Sequence, residues 1–289
     1  MRHFFLSVLI IFLFSLVFSG CSSAPKKQNE IFTERNTAEN QLNLANRTAN
    51  RGFLEDALVI MEDARRLALS TDDPSLRIRT LISRGSILFS LGRQSEAFAD
   101  WENAASEADA SGEKVLASLA RIYAIRGSVI QLAGGEASAA SADECRENLA
   151  REMNIVKNDA FATAVGYVTL GMTEKESGRW AEAESAVKKA LDFHVKNLSL
   201  EEAAYDWFII ASIRSMAGNY DSALEALGSA ISYDRRAENG FGLASSWHAS
   251  GEVYQKAGRD EEARAAFRRA AEIYRALGHV KYAEQLEKY

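Results

Sequence analysis

The sequence is poor in proline and cysteine and holds no concentration of basic residues. Of its 289 residues, 2 are proline and 2 are cysteine, and 34 Lys and Arg residues are outnumbered by 40 Asp and Glu residues. Nucleic-acid binding depends on clustered Lys and Arg, so the net charge of −6 argues against nucleic acid as a partner. Cys21 and Cys145 lie far apart in the chain, which leaves neither a disulfide framework nor a paired-cysteine zinc site.

The motifs of common catalytic sites are also missing from the sequence. It has no phosphate-binding loop, no zinc-protease helix and no serine-nucleophile elbow. Gly240-Phe241-Gly242 follows no predicted strand and lies in a predicted loop, so it does not indicate a dinucleotide site. His194, His248 and His279 fall in different repeats or loops, whereas a metal site needs three or four converging ligands. We expect a non-catalytic protein without metal or cofactor, with catalysis by residues from several repeats as a third alternative.

The first 21 residues have the organisation of a secretory signal. Arg2 and His3 precede an apolar run from Phe4 to Phe18, and the small residues Ser19 and Gly20 follow it. The run is shorter than the roughly 20 residues that a membrane-spanning helix needs. The sequence therefore predicts an export signal in residues 1–20.

The end of this signal resembles a bacterial lipoprotein processing site. Ser19, Gly20 and Cys21 match its last three positions, and Phe18 stands where the family usually has Leu. The resemblance implies that Cys21 is lipidated, as with palmitate, and that residues 21–32 form a flexible tether. Ser22 and Ser23 after the cysteine do not form the best-known signal for retention in the inner membrane, so we expect the protein at the outer membrane, facing the periplasm. The alternatives are an ordinary cleaved signal or an uncleaved anchor, with Cys21 an incidental thiol.

The rest of the chain, residues 33–289, carries an internal repeat of about 40 residues. Glycines separated by 40, 42, 44, 40 and 40 residues set its register, each between two stretches of helical periodicity. These are Gly52, Gly92, Gly134, Gly178, Gly218 and Gly258. In the third repeat the second helix matches only when shifted, which predicts about three extra residues in the turn from Gly134 to Ser141.

The spacing within a repeat resembles the tetratricopeptide repeat. In the last copy, the signature positions are Trp247, Gly251, Tyr254, Gly258, Ala263, Phe267 and Ala270. The resemblance implies an all-α, right-handed superhelical solenoid of six helix pairs, capped by a short C-terminal helix from His279 to Tyr289. The excess over the family's usual repeat length is expected in longer second helices and in the loops at residues 70–75 and 109–114.

Several residue types acquire a packing role in this fold. Gly85, Gly127, Gly171 and Gly251 lie inside predicted helices, where glycine costs about 1 kcal/mol, so close helix contact is the expected reason. Asp73 followed by Pro74 predicts the start of a helix. Cys145 is expected to be a small buried residue.

The family's first helices line a concave groove, and the resemblance carries candidate binding residues onto this chain. The groove positions are Asn46, Ile82, Ser86, Phe89, Ser128, Lys175, Phe208, Ser212, His248 and Glu252, with Leu42, Ala49, Ala124, Gln131, Val168, Met172, Ser215 and Gln255 beside them and Arg79, Arg121 and Tyr205 flanking. A clamp for a carboxylate terminus is poorly supported, because only Asn46 and Asn43 echo its Lys and Asn set. The mixture indicates a surface for an extended or helical peptide, or for a lipophilic ligand.

The export signal and the repeats together predict a membrane-anchored envelope protein. We expect it to act as a protein-protein interaction scaffold or adaptor for an envelope assembly machine, with one or more envelope proteins as partners. The alternative is a ligand-binding lipoprotein that associates with a solute transporter.

Overall fold

The computed structural model describes residues 33–136 and 140–288, and the predicted export signal and tether lie outside them. The described residues form thirteen α-helices and no strand. The helices are α1 Thr33–Asn50, α2 Leu54–Ser70, α3 Pro74–Ser90, α4 Gln94–Ser111, α5 Lys114–Ala133, α6 Ala142–Val156, α7 Ala160–Glu176, α8 Trp180–Lys196, α9 Leu200–Met216, α10 Tyr220–Ala237, α11 Gly240–Lys256, α12 Asp260–Ala276 and α13 Val280–Leu286.

The helices are arranged as six consecutive pairs followed by the short α13, which confirms the predicted helical solenoid. Turns at residues 51–53, 91–93, 177–179, 217–219 and 257–259 join the helices of a pair. The apolar core runs along the solenoid as clusters of buried side chains shared by sequence neighbours. The nonlocal apolar contacts are thus made mainly between adjacent helices.

Left-handed glycines close five of the six turns within pairs, as expected. The φ angles are +83° at Gly52, +78° at Gly92, +71° at Gly178, +80° at Gly218 and +72° at Gly258. A residue with a Cβ is strained in this conformation, which explains the recurrence of glycine.

The third turn departs from this register by one residue. Gly134 has φ −76°, and its neighbour Gly135 takes the left-handed conformation with φ +76°. The connection from α5 to α6 spans residues 134–141, longer than the other turns within pairs, so the extra residues fall where the shifted spacing places them. Residues 137–139 of this connection lie outside the described part.

The expectation of long loops at residues 70–75 and 109–114 is wrong. Helix α2 continues to Ser70 and α3 begins at Pro74, while α4 continues to Ser111 and α5 begins at Lys114. The twelve helices of the six pairs contain 15 to 20 residues each. The length of the repeat therefore comes from long helices and not from long loops. Asp73 caps α3 as predicted, accepting a hydrogen bond from the backbone N–H of Leu76 at 3.1 Å.

Glycines inside the first helices admit large side chains from the second helices. A Cβ on Gly85 would lie 2.5 Å from Trp101 Nε1, and one on Gly251 would lie 2.5 Å from Phe267. At Gly171 the contact is with Val187 at 2.3 Å. These distances are too short for any side chain, so the helices approach each other closely only because these positions are glycine.

Helix α5 is the one described helix long and apolar enough, by length and composition, to cross a membrane. Its mean hydropathy is 1.3, and 44% of the apolar window is buried inside the protein. Ala117, Ala120 and Ile122 of this helix are buried in the core shared with α3, α4 and α6. Packing within the solenoid accounts for its apolar character.

Candidate functional site

The first helices of several repeats surround a cavity of about 520 Å³, hereafter the central cavity. Its lining residues are Asn50, Tyr123, Arg126, Glu201, Glu202, Ala204, Tyr205, Phe208, Asp234, Asn239, Phe241, Gly242, Ser245 and Ser246. They come from α1, α5, α9, α10 and α11, together with the connection before α11. The volume is within the range of about 300–1,000 Å³ typical of ligand sites.

The turn after α1 contacts His279, which precedes α13 and also packs against the cavity residue Phe241. The imidazole Nε2 of His279 lies 2.9 Å from the backbone oxygen of Arg51, and the rings of Phe53 and His279 are 4.6 Å apart between centroids. A Cβ on Gly52 would be 2.5 Å from the ring of Phe241, so the left-handed glycine is also required by this approach. The turn between α1 and α2 therefore packs on α11 and on the residue that precedes α13.

A hydrogen bond beside this contact joins two residues of the cavity wall. Asn50 Nδ2, at the end of α1, donates to Glu201 Oε2 at 2.9 Å. Glu201 and Glu202 both belong to the first turn of α9. This arrangement brings the first and fifth pairs together at the cavity although they are far apart in sequence.

Four aromatic side chains contribute to the cavity wall. Tyr123 comes from α5, Tyr205 and Phe208 from α9, and Phe241 from α11. Tyr205 keeps 43% of its surface accessible, yet the surrounding protein atoms raise the pKa of its hydroxyl through loss of solvation. The wall thus offers flat apolar rings, and the Tyr205 hydroxyl remains protonated at neutral pH.

Asp234 is the buried carboxylate of the cavity wall. Its Oδ1 accepts a hydrogen bond from Asn239 Nδ2 at 2.8 Å, and its Oδ2 accepts one from Ser246 Oγ at 3.3 Å. Burial raises the pKa of Asp234 to about 6, while these two donors act in the opposite direction. Asn239 also caps α11 by accepting from the N–H of Gly242 at 3.0 Å, so the same network fixes the start of that helix.

Arg126 supplies the cationic group of the cavity wall. Its Nη2 donates to the backbone oxygen of Val165 at 3.0 Å, and its Nε donates to Thr169 Oγ1 at 3.1 Å. The guanidinium carbon lies 5.4 Å from the centre of the Tyr123 ring. These contacts to α7 and α5 hold the side chain in place.

Some of the predicted groove residues line three cavities of the described structure. Tyr205 and Phe208 line the central cavity. Arg121 lines a second cavity of about 450 Å³, which includes Trp101. Phe208, Ser212, Ser215 and Glu252 line a third cavity of about 110 Å³ between α9 and α11.

Other predicted groove residues make local contacts and line none of these three cavities. Three of them lie near a carboxylate: Arg79 is 3.6 Å from Glu39, Lys175 is 3.2 Å from Glu176, and His248 is 3.7 Å from Glu252. Asn46 donates a hydrogen bond to Ser83 Oγ at 3.3 Å, and the ring of Phe89 packs on Trp101. The hydroxyls of Ser86 and Ser128 each donate to the backbone oxygen four residues earlier in the same helix.

The assignment of Ile82 to the groove surface is wrong, because this side chain is buried in the core. Leu42, Val168 and Met172, placed beside it in the same register, are buried as well. At these positions the first helices face their neighbours, so the residues contribute packing and not binding surface.

Sequence reasoning missed most of the central cavity. Glu201, Asp234 and Phe241 were not candidates, and Gly240-Phe241-Gly242 forms the first turn of α11 rather than a loop. One signal was present: Ser245 precedes Trp247 by two residues, as Tyr205 precedes Trp207, and both line the cavity. The same offset extended to the last repeat would have found Ser245. Asp234, from a second helix, follows no such rule.

Two further groups bear on chemistry. Cys145 in α6 is buried as predicted, and burial raises the pKa of its thiol, which disfavours the reactive thiolate. Among residues 33–136 and 140–288, no three His, Cys, Asp or Glu side chains are grouped as ligands for a metal ion.

Comparison with known proteins identifies a repeat family in part of the chain. Residues 202–276 match the tetratricopeptide repeat family model. This segment covers the fifth and sixth helix pairs except for the first two residues of α9. No curated protein matches the sequence.

Several solved structures share the fold across most of the chain. BtubC from P. vanneervenii has a TM-score of 0.53 and 18% identity, covering 83% of this chain and 92% of that one. A Rap protein complexed with Competence and Sporulation Factor has a TM-score of 0.59 and 13% identity, covering 87% and 73%. The Rap conjugation gene regulator of plasmid pLS20, in complex with the Phr* peptide, has a TM-score of 0.54 and 12% identity, covering 86% and 78%. At these identities the likeness establishes the fold.

Proposed function

We propose that this protein is a non-catalytic binding scaffold that holds a peptide segment of an envelope protein in the central cavity. The observation that carries the proposal is the cavity itself, with four aromatic rings and several hydrogen-bonding side chains around about 520 Å³. Aromatic rings bind apolar parts of a peptide, and the Asn, Ser and carboxylate groups bind its amides and polar side chains.

The solved structures of similar fold support a peptide as the occupant. The Rap conjugation gene regulator is in complex with the Phr* peptide, and the other Rap protein is complexed with Competence and Sporulation Factor. Both chains share the helical solenoid with this protein. We extend this mode of binding to the central cavity by analogy of fold.

The proposed location is the bacterial cell envelope, with Cys21 as the lipid-bearing residue. The apolar run from Phe4 to Phe18 and the small residues before Cys21 support export and lipidation. Each methylene of an acyl chain that enters a membrane contributes about 0.8 kcal/mol, so two or more chains hold a protein firmly. The anchor then holds the solenoid at the membrane, which we propose is the outer membrane. There the solenoid contacts partners that belong to an envelope assembly machine.

Site-specific crosslinking tests the scaffold proposal. The photoreactive residue p-benzoylphenylalanine replaces either Tyr205 in the central cavity or Val59 on α2, which lines none of the described cavities and is also exposed. Irradiation of intact cells followed by mass spectrometry should recover a recurrent partner peptide from position 205 and not from position 59. Equal capture at both positions, or repeated capture of no protein at position 205, would contradict the proposal.

The anchor is tested separately with Cys21→Ser. The original chain should fractionate with membranes and incorporate labelled palmitate, whereas the variant should incorporate no palmitate and keep its uncleaved apolar segment. A chain with Cys21 intact that stays in the soluble fraction would exclude the lipid anchor and leave the peptide site untouched.

A small-molecule ligand is the second candidate, favoured by the size and aromatic walls of the central cavity. In this case the protein would deliver an apolar solute to an associated transporter. Native mass spectrometry of the purified chain distinguishes the two functions, because a bound small molecule that is lost in Phe208→Ala supports the ligand-binding function.

A further inference from the structure

The central cavity carries an excess of negative charge. Its wall contains the carboxylates of Glu201, Glu202 and Asp234 but one cationic side chain, Arg126. Arg126 directs its hydrogen bonds to Val165 and Thr169 in α7, and no ion pair joins it to these three carboxylates within the described residues. The cavity is therefore acidic at neutral pH.

Asp234 differs from the buried Asp100 and Glu174 in having no arginine partner within the described residues. Asp100 is paired with Arg84, Glu174 with Arg146 and Arg179, and Asp206 with His194. In the described residues Asp234 receives hydrogen bonds from an amide and a hydroxyl instead. A buried carboxylate without a cation is costly, and a cation from outside the chain would offset that cost.

Glu201 and Glu202 extend the same feature along α9. Glu201 accepts from the neutral amide of Asn50, and no salt bridge of the described chain includes either glutamate. By contrast, most arginines on the outside of the solenoid lie within ion-pair distance of Asp or Glu. The three carboxylates of the cavity wall thus have no ion-pair partner within the described chain.

The aromatic wall suits a cation with an apolar stem. Lys and Arg side chains gain energy from a ring face and bury their methylene groups against apolar surface. Tyr123, Tyr205, Phe208 and Phe241 lie on the same cavity wall as the three carboxylates. The chain already shows this type of contact at Arg126 and Tyr123, which are 5.4 Å apart.

We infer that the central cavity selects a partner peptide by a Lys or Arg side chain, whose charge is neutralised by Asp234, Glu201 and Glu202 and whose stem packs on the aromatic rings. The inference rests on the proposed peptide-binding function and adds the charge of the residue recognised. A peptide without a basic residue leaves the carboxylates unneutralised and binds more weakly.

A random nonapeptide library displayed on beads provides the probe. Beads captured by the labelled full-length chain are sequenced, and Lys and Arg should be enriched about ten-fold or more over the uncaptured library, the ratio that corresponds to one charge pair in a desolvated site. Asp234→Asn and Glu202→Gln should each reduce this enrichment. Glu182→Gln, which removes an exposed carboxylate at the start of α8, should leave it unchanged.

Tyr205→Ala separates the two levels of the argument, because Tyr205 lines the central cavity and neither of the other two. If capture depends on Tyr205 but Lys and Arg are not enriched, the central cavity binds peptides and the inference about charge is overturned. If no capture depends on Tyr205, the proposed function fails together with the inference. Circular dichroism melts of each variant establish that loss of capture does not reflect unfolding.

Discussion

The imidazole Nδ1 of His194 lies 2.6 Å from Oδ2 of Asp206, and both side chains are buried. The pair joins α8, the second helix of the fourth pair, to α9, which supplies the largest share of the central cavity wall. Burial raises the pKa of Asp206, and the hydrogen bond with His194 opposes this shift. Asp206 directly precedes Trp207 and follows Tyr205, so the pair helps to fix the cavity residue next to it.

Removal of the imidazole should destabilise the protein strongly. In His194→Ala the Asp206 carboxylate stays buried and loses its partner, which costs about 3–5 kcal/mol in comparable buried pairs. Urea denaturation measures the loss. The double variant His194→Leu/Asp206→Leu should recover much of the stability, since it removes both polar groups. A loss below about 1 kcal/mol in the single variant would show that the pair contributes little.

Asp234 should make stability depend on pH. Its pKa is about 6 in the folded protein against an ordinary value of 3.8, so the folded state binds the proton more tightly than the unfolded state. Stability from this group therefore falls as the pH rises from about 4 to about 6, by up to about 3 kcal/mol at 1.4 kcal/mol per pKa unit.

The Asp234→Asn variant tests this linkage. Urea denaturation at about pH 7.5 should find it at least as stable as the original chain, and at about pH 4 the gain should vanish. Asp221→Asn, an exposed carboxylate with 91% of its side chain accessible, serves as the control and should show no such pH dependence. A variant that is less stable than the original at both pH values would contradict the expected cost of the buried charge.

Two glycine-to-alanine substitutions should have opposite effects on the stability of the protein. In Gly171→Ala the new methyl group would lie 2.3 Å from Val187 and 2.9 Å from the backbone oxygen of Ala183, so α7 and α8 must separate, at a cost of about 1–3 kcal/mol. In Gly228→Ala nothing lies within 4 Å, and the better helix propensity should stabilise α10 by about 0.5–1 kcal/mol. Equal melting temperatures for the two variants would refute the close packing of α7 and α8.

Phe267 should be the main apolar anchor of the sixth pair. It is fully buried against Gly251, whereas Trp247, which the repeat signature places at the head of this pair, is half-buried. Phe267→Ala should cost about 3–5 kcal/mol, and Trp247→Ala less.

Hydrogen exchange can follow how the Phe267→Ala damage spreads. Because repeats stabilise their neighbours, protection should fall first in α11, α12 and α13 and last in α7 and α8. The turn at Gly52 should respond as well, since it packs on Phe241. Loss of protection at the same rate in all helices would indicate one cooperative unit.

The fold was predictable because its determinants are local and repeated. The glycine at the end of each first helix, such as Gly178, and the small residue that accepts a large neighbour, such as Gly251 with Phe267, recur at nearly constant spacing. The site was less predictable. Phe208 and Tyr205, which the family resemblance assigns to the groove and its flank, line the central cavity. The same resemblance puts the buried Ile82 on the surface, because the repeat spacing does not report how far each helix turns away from its neighbour.

The sequence alone determined the helix pairs, their turns and the candidate signal before Cys21, since each depends on residues within about one repeat. Only the tertiary structure decided the central cavity. Asn50, Arg126, Glu201, Asp234 and Phe241 meet there because the stacked pairs bring the turn after α1 against α11 and His279. That contact depends on the small rotations between successive pairs, which accumulate along the solenoid and are set by side-chain packing at every interface.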